Sequence, residues 1–227
     1  MKYTFDSLYF NETEIATLYL GDTVVWSSVT VEPSPSIYDE TCISVVPLDS
    51  GGEPTGDVRY FTSIVDVVSF LRSMSNDRFL VHVGTLSGIT SIGAFAFDHC
   101  ISLAKINVPE CIASIGDAAF QGCSSLGSII IPSSVTSINA ATFLDCSSLT
   151  NVTISPGVTS IVMGSNGPAF GRCTALTSIT IPSTVTSIGN PSFYGCTSLT
   201  TITVEKPENS ISDSPWGATN ATVVWTG

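Results

Sequence analysis

From residue 100 onward the chain is paced by five cysteines, Cys100, Cys123, Cys146, Cys173 and Cys196, in steps of 23, 23, 27 and 23 residues. Three residues before each stands a phenylalanine (Phe97, Phe120, Phe143, Phe170, Phe193), and three after each a leucine (Leu103, Leu126, Leu149, Leu176, Leu199). Six after come Ile106, Ile129, Val152, Ile179 and Ile202; eight after come Val108, Ile131, Ile154, Ile181 and Val204. Ser-Ile pairs at 114–115, 137–138, 160–161 and 187–188 complete the unit. The step of 27 is one four-residue insertion between Ile161 and Phe170. A degenerate unit precedes these, with Leu80, Val83, Thr85, Ile89 and Ser91-Ile92 in the columns and Asp77 in the cysteine slot. A chain that keeps this many columns in register folds by stacking its repeats.

Within one unit, Ile129 and Ile131 have period two and face one side of a strand. Pro132 ends that strand, because it has no N–H for a ladder. Val135 and Ile138 supply a second inward turn, Phe120 the centre, and Cys123 and Leu126 the closure. One such coil cannot bury its own apolar face, so the next coil must cover it. Strands about 4.8 Å apart make five coils rise roughly 25 Å. Hydroxyls clothe this stack: residues 86–227 hold 41 Ser and Thr but only ten charged side chains. Thr suits an exposed pleat.

The unit I-x-I-P-x-x-V-T-S-I-x-x-x-A-F-x-x-C-x-x-L resembles the BspA-like class of leucine-rich repeat over about residues 80–204. The resemblance implies a curved right-handed solenoid with a parallel sheet on one face. It also implies a setting among bacterial surface proteins, adhesins and phage-associated proteins. Pro156 is displaced by one position and Glu205 takes the proline slot. The expected fold is thus a β-rich leucine-rich-repeat solenoid with coils of about 23 residues, capped by a helix and preceded by a small antiparallel β meander.

The ends read differently from the repeats. Residues 1–28 hold short apolar runs separated by Asn11-Glu12 and Gly21-Asp22, the second a hairpin signal. They are expected to form a β-meander docking module. The string Glu14-Ile15, Leu18-Tyr19-Leu20-Gly21 and Val25-Trp26 is similar to short modules of phage and prophage tail-associated proteins. Residues 29–79 read as a linker, rich in Pro, Ser and Gly, with one strand at 42–46 and a helix at about 63–75. Ser63 and Asp66 mark that helix's start, and Ile64, Val67, Val68, Leu71 and Met74 form its apolar face. Residues 80–227 are the solenoid, closed by Trp216, Val223, Val224 and Trp225.

Charge and motifs exclude most activities. Seven Lys and Arg against nineteen Asp and Glu give net −12, so the chain lacks the basic footprint that nucleic acid requires. No apolar run approaches the roughly 18 residues of a membrane span, and the opening MKYTFDSLYFNETEI has no signal-peptide core. No C-x-x-C pair, phosphate loop or nucleophile elbow occurs, so no catalytic residue, metal site or cofactor is expected. Asp98, Asp117 and Asp145 lie on turns of different coils. Neighbouring ladder thiols would sit about 4.8 Å apart with parallel Cβ vectors, too far for disulfides.

The expected binding surface is the outward strand column, Asn107, Ile130, Thr153, Thr180 and Thr203, together with Val162 and Met163 in the insertion. The expected role is non-enzymatic binding to protein partners or cell-surface glycan, at the virion or the cell surface. One reading is a phage virion component that docks through the meander and presents the solenoid. The other is a bacterial surface adhesin or host-interaction protein.

Overall fold

The computed structural model describes residues 5–10, 13–20, 23–26, 43–51, 53–55, 58–61, 63–74, 77–85 and 88–227. The expected turns at Asn11-Glu12 and Gly21-Asp22, the linker residues 29–42 and Cys42 lie outside these. Strands β1 (Phe5–Phe10), β2 (Thr13–Leu20) and β3 (Thr23–Trp26) pair antiparallel in that order, as the meander expectation requires.

Next along the chain come β4 (Ile43–Leu48), β5 (Arg59–Phe61), helix α1 (Ile64–Ser73) and β6 (Arg78–Val83). The coils then contribute β7 (Ser91–Ile92), β8 (Leu103–Asn107), β9 (Ser114–Ile115), β10 (Ser128–Ile131), β11 (Ser137–Ile138), β12 (Asn151–Ile154) and β13 (Ser160–Ile161). A small hairpin, β14 (Met163–Gly164) with β15 (Gly167–Pro168), is built from the insertion. The last strands are β16 (Ser178–Ile181), β17 (Ser187–Ile188), β18 (Thr201–Val204) and β19 (Thr222–Trp225).

Each coil has three sides. The longer strands pair in parallel, β6-β8-β10-β12 and then β16-β18-β19, while the Ser-Ile strands pair in a second ladder. The third side is the Phe-to-Cys turn. All five phenylalanines are fully buried. Their rings stack with centroids 5.3–5.6 Å apart and planes within 13° of parallel, an offset stack that adds to area burial. Four ladder thiols donate to the phenylalanine carbonyl of the preceding coil, Cys123 to Phe97, Cys146 to Phe120, Cys173 to Phe143 and Cys196 to Phe170. The described cysteines are all free thiols. The residue before each ladder cysteine (His99, Gly122, Asp145, Arg172, Gly195) has positive φ, which turns the chain sharply back toward the strand side.

Two sequence expectations need correcting at the first coil. The column there runs Phe79, Val81 and Val83, not Leu80, Val83 and Thr85. Phe79 pairs with Leu103 and Val81 with Ile106, and a bulge between Phe79 and Leu80 absorbs the shift. Strand alternation, with Phe79, Val81 and Val83 buried, overrides the repeat's own Leu-to-Ile spacing. In addition, part of the stretch read as linker belongs to the main sheet. β4 pairs antiparallel with β6, and β5 with β4.

Both ends of the apolar stack are covered. Helix α1 buries Val67, Val68 and Leu71 against the same core as the first coil. Its N-cap is Ser63, whose hydroxyl accepts from Val65 N–H. Arg72 donates from the last turn to the Asp98 carbonyl, 2.7 Å away. At the far end Trp216 is fully buried and its ring meets Trp225 edge-on at 6.4 Å. Its carbonyl accepts from Phe193 N–H, and β19 continues the strand register of β18.

Candidate binding surface

The strands that build the stack also build its outward face, because every second side chain points away from the core. The row of interest runs through His82, Asn107, Ile130 and Thr153, by strand register; Ser44 and Tyr60 continue that register on β4 and β5, but Ser44 is fully buried. A separate run carries Thr180, Thr203 and Val224. Beside the first run lie Leu80, Lys105, Ser128 and Asn151. Thr153 and Thr180 are exposed and Thr203 half-buried, so their hydroxyls face outward as the alternation requires. Tyr60, an exposed aromatic residue, joins the row through β5. The repeat pattern could not show it, because β5 lies outside the repeats.

Asn107 has a structural duty. Its side-chain oxygen accepts from Val83 N–H at 2.6 Å, and its side-chain nitrogen donates to Val83 carbonyl at 3.2 Å. The amide thus finishes the ladder between β8 and the degenerate first coil. Ile130 is 61% exposed where β12, β16 and β18 have threonine, and Val224 of β19 is a second exposed aliphatic in the register. Val162 is half-buried and Met163 exposed. The hairpin that carries Met163 leans back over earlier coils, with Gly167 carbonyl accepting from Ala141 N–H and Asn166 donating to Asp117 at 3.1 Å.

The longer strands do not form one continuous sheet. Strand β10 registers with β8 only at Ser128 and Lys105. A cleft of about 310 Å³ opens there, lined by Leu80, Lys105, Ile106, Asn107, Val108, Ser128, Ile129 and Ile130. No ladder joins β12 to β16, and a second cleft of about 370 Å³ lies at that seam, between Asn151, Thr153, Pro156, Thr180, Pro182 and Glu205. On this side Gly157 lies so close to the coil of β10 that a Cβ would stand 1.9 Å from Ser133 carbonyl oxygen. The Ser-Ile ladder stays continuous through β11, β13 and β17.

The titratable groups are dispersed and engaged. Asp98 lies 2.7 Å from His99, Asp117 accepts from Asn166, and Asp145 receives both Arg172 nitrogens at 2.5 and 2.6 Å. The Arg172 hydrogen bonds hold the Asp145 carboxyl below its usual range. Glu110 is held low by hydrogen bonds from Ser133, then Ser134, and so ties one coil to the next. Burial pushes the Cys100 thiol up to about 11 and holds Cys123 and Cys146 well above the thiol norm. Thiols in that state are neither nucleophiles nor metal ligands at neutral pH. Among the described residues no group of three His, Cys, Asp or Glu could hold a metal, and no helix is long and apolar enough to cross a membrane.

Stacked coils, an apolar interior and an outward sheet of neutral side chains define a leucine-rich-repeat scaffold. Residues 75–166 and 163–222 match the BspA type leucine rich repeat region in six copies, and the chain belongs to that family. BspA-like proteins are surface or binding proteins, with which a non-enzymatic role is consistent. No curated protein matches the chain significantly. Among solved structures, the Treponema pallidum leucine-rich repeat protein is similar at 22% identity and TM-score 0.51, over 66% of this chain and 74% of that one. A leucine-rich cell surface protein from Faecalibacterium prausnitzii is 35% identical with TM-score 0.42, over 51% of this chain and 36% of its own. A Bacteroides ovatus leucine-rich repeat protein is 26% identical with TM-score 0.43, over 61% and 42%. The chain spans less than half of each of the last two.

Proposed function

We propose that this protein is a non-enzymatic binding scaffold displayed at a bacterial cell surface, where it contacts other proteins. The observation that supports this reading is the division of the coils into two chemistries. Every inward column is apolar and sealed, and the outward strand positions carry exposed Ser, Thr and Asn held in a fixed register. A rigid, weakly charged face of this kind contributes recognition without a reaction centre. In this reading residues 80–227 present the face, residues 29–79 join and cap it, and residues 1–28 dock the protein to its carrier. The virion alternative rests on the likeness of residues 14–26 to tail-associated modules, and the family match lends it no weight. Protein partners fit the outward threonine positions better than glycans, because those positions offer no stacking platform; the exposed aromatic Tyr60 lies on β5, outside the repeats.

Two measurements test the proposal. Intact producing cells treated with a membrane-impermeant amine reagent should yield labelled protein, and recovery of unlabelled protein from the cell interior alone would overturn surface display. A photo-crosslinking side chain placed at Thr180 should capture protein partners that one placed at Ser147, on the turn side, does not. Equal capture from both positions would remove the sheet face from the reading.

A further inference from the structure

We propose that this protein forms a two-fold dimer through strand β19, whose free edge pairs antiparallel with the same edge of a second copy. The dimer goes beyond the scaffold reading and does not depend on what the outward face binds.

Three observations meet at this edge. The first is the backbone. β19 pairs with β18 on one side, and among the described residues no strand lies on the other. Thr222 N–H donates to Thr200 carbonyl and Thr226 N–H to Val204 carbonyl, so the even-numbered residues spend their backbone groups on β18. The N–H and C=O of Val223 and Trp225 therefore point to the free edge. The second is incomplete burial. Ile202 and Val204, their register partners in β18, are fully buried between neighbouring strands. Val223 and Trp225 are only half-buried, and Val224 is 41% exposed where β12, β16 and β18 carry threonine. The third is the lack of any device that keeps edges apart. Natural edges are blunted by charge, by proline, by a bulge or by being short. The opposite edge, β5, is three residues long and carries Arg59. Residues 221–227 hold no charged side chain and no proline, and β19 keeps an unbroken register with β18.

A second copy is the occupant because the strand complements itself. A two-fold axis through Val224, normal to the sheet, sets Val224 opposite its own counterpart and Val223 opposite the second copy's Trp225. Val223 and Trp225 then form the hydrogen-bonded pairs, which use all four free backbone groups of each strand. Their side chains share the inward face, where an aromatic and a β-branched residue make a favourable cross-strand pair. Val224 and its counterpart are the non-hydrogen-bonded pair, whose Cα atoms approach to about 4.5 Å. A slip of one residue would set inward side chains against outward ones. Rotation about this axis keeps both outward faces on one side, so the dimer displays Thr180 and Thr203 of both copies together. Five paired residues span only about 17 Å, less contact than a stable interface needs, so a dissociation constant of about 10 µM to 1 mM is expected.

Sedimentation equilibrium of the full chain across that concentration range tests this. The mass should rise from that of one 23.8 kDa chain toward that of two and stop there, since a two-fold contact closes on itself. A mass that stays at one chain overturns the proposal. So does a mass that climbs past two, which marks a head-to-tail contact such as β19 on β3, the meander edge that repeats the sequence Thr-Val-Val-Trp. Val224→Lys and Val224→Glu alter an exposed side chain, so both should fold with nearly unchanged thermal midpoints. Each alone sets like charges about 5 Å apart across the axis and should weaken association about tenfold or more. Mixed in equal amounts, they should associate again as a one-to-one dimer, because Lys then opposes Glu. Only a contact in which residue 224 faces itself gives that rescue. A mixture that stays monomeric, or Val224→Lys that associates like the unaltered chain, overturns the proposal. Val224→Thr installs the residue that three other strands carry at this place and serves where a charged variant fails to fold. It should weaken association about threefold, and an unchanged dissociation constant overturns the proposal likewise. Capture of other proteins from Thr180 tests the scaffold reading separately.

Discussion

Phe120 shows what a single residue contributes here. Its ring lies between Phe97 at 5.4 Å and Phe143 at 5.6 Å, nearly parallel to both. Phe120→Ala removes one rung from the middle of the stack, and the coils cannot collapse into the gap while two strand ladders hold their spacing. A loss of about 3–5 kcal/mol is expected, read as a lowered denaturation midpoint. An unchanged midpoint would mean that the column does not carry the core. Asp145 and Arg172 make a weaker contribution on the turn side. Their side chains are 41% and 55% exposed, so the pair is worth about 0.2–1 kcal/mol. The depressed Asp145 carboxyl stabilises the fold above the unfolded value near 4, and that stability is lost as pH falls through the lower folded value. Arg172→Gln should therefore lower the urea midpoint slightly at pH 7 and make no difference near pH 2. An equal loss at both values would point to packing of the arginine stem instead.

Elements differ in how openly their residues announce them. Helix α1 was legible because Ser63 precedes apolar residues at helical spacing, and the hydroxyl caps Val65 as expected. Ser63→Ala should cost about 1 kcal/mol, measured by chemical denaturation, with the loss confined to a lower midpoint and no change in slope. An unaltered midpoint would show that tertiary contacts alone hold the first turn. The coil strands were legible because Phe, Cys, Leu and Ile recur in register. β4 was legible as a strand at 42–46 but its place in the main sheet was not, and β5 was missed, because antiparallel strands that occur once leave no column to compare. The first coil misled for a physical reason. Repeat spacing assigned Leu80 to the core, but period-two alternation placed Phe79, Val81 and Val83 there and a bulge took up the difference. The candidate surface was half legible. Alternation located Thr153, Thr180 and Thr203 on the outside, yet Asn107's bond to Val83 depends on a neighbouring coil that is itself irregular.

At the scale of the whole molecule, the break between β12 and β16 divides a stack that is otherwise continuous. The phenylalanine turns cross it, with Phe143 N–H donating to Ala169 carbonyl, and the Ser-Ile strands cross it through β13 and β17. The longer strands do not. Thr200 N–H donates to Thr177 carbonyl at 3.0 Å, and Thr150 N–H donates to Gly127 carbonyl at 2.9 Å, but among the described residues Thr177 N–H has no such bond to the coil of β12. On the other flank of β12's coil, Gly157 sits against Ser133 of the coil of β10, a position with no room for a Cβ. Two apolar sides keep the halves in register, while the third lacks the ladder that would resist opening. Amide exchange reports local opening of this kind. The Thr177 amide should exchange at least about tenfold faster than that of Thr200, although both immediately precede the longer strand of their coil. Gly157→Ala sharpens the test. Its methyl group must push the coil of β12 off that of β10, so the bond from Ser155 N–H to Ile131 carbonyl weakens and that amide should lose protection as well. Equal protection of Thr177 and Thr200 in the unaltered chain would mean that the ladder closes at the seam in solution.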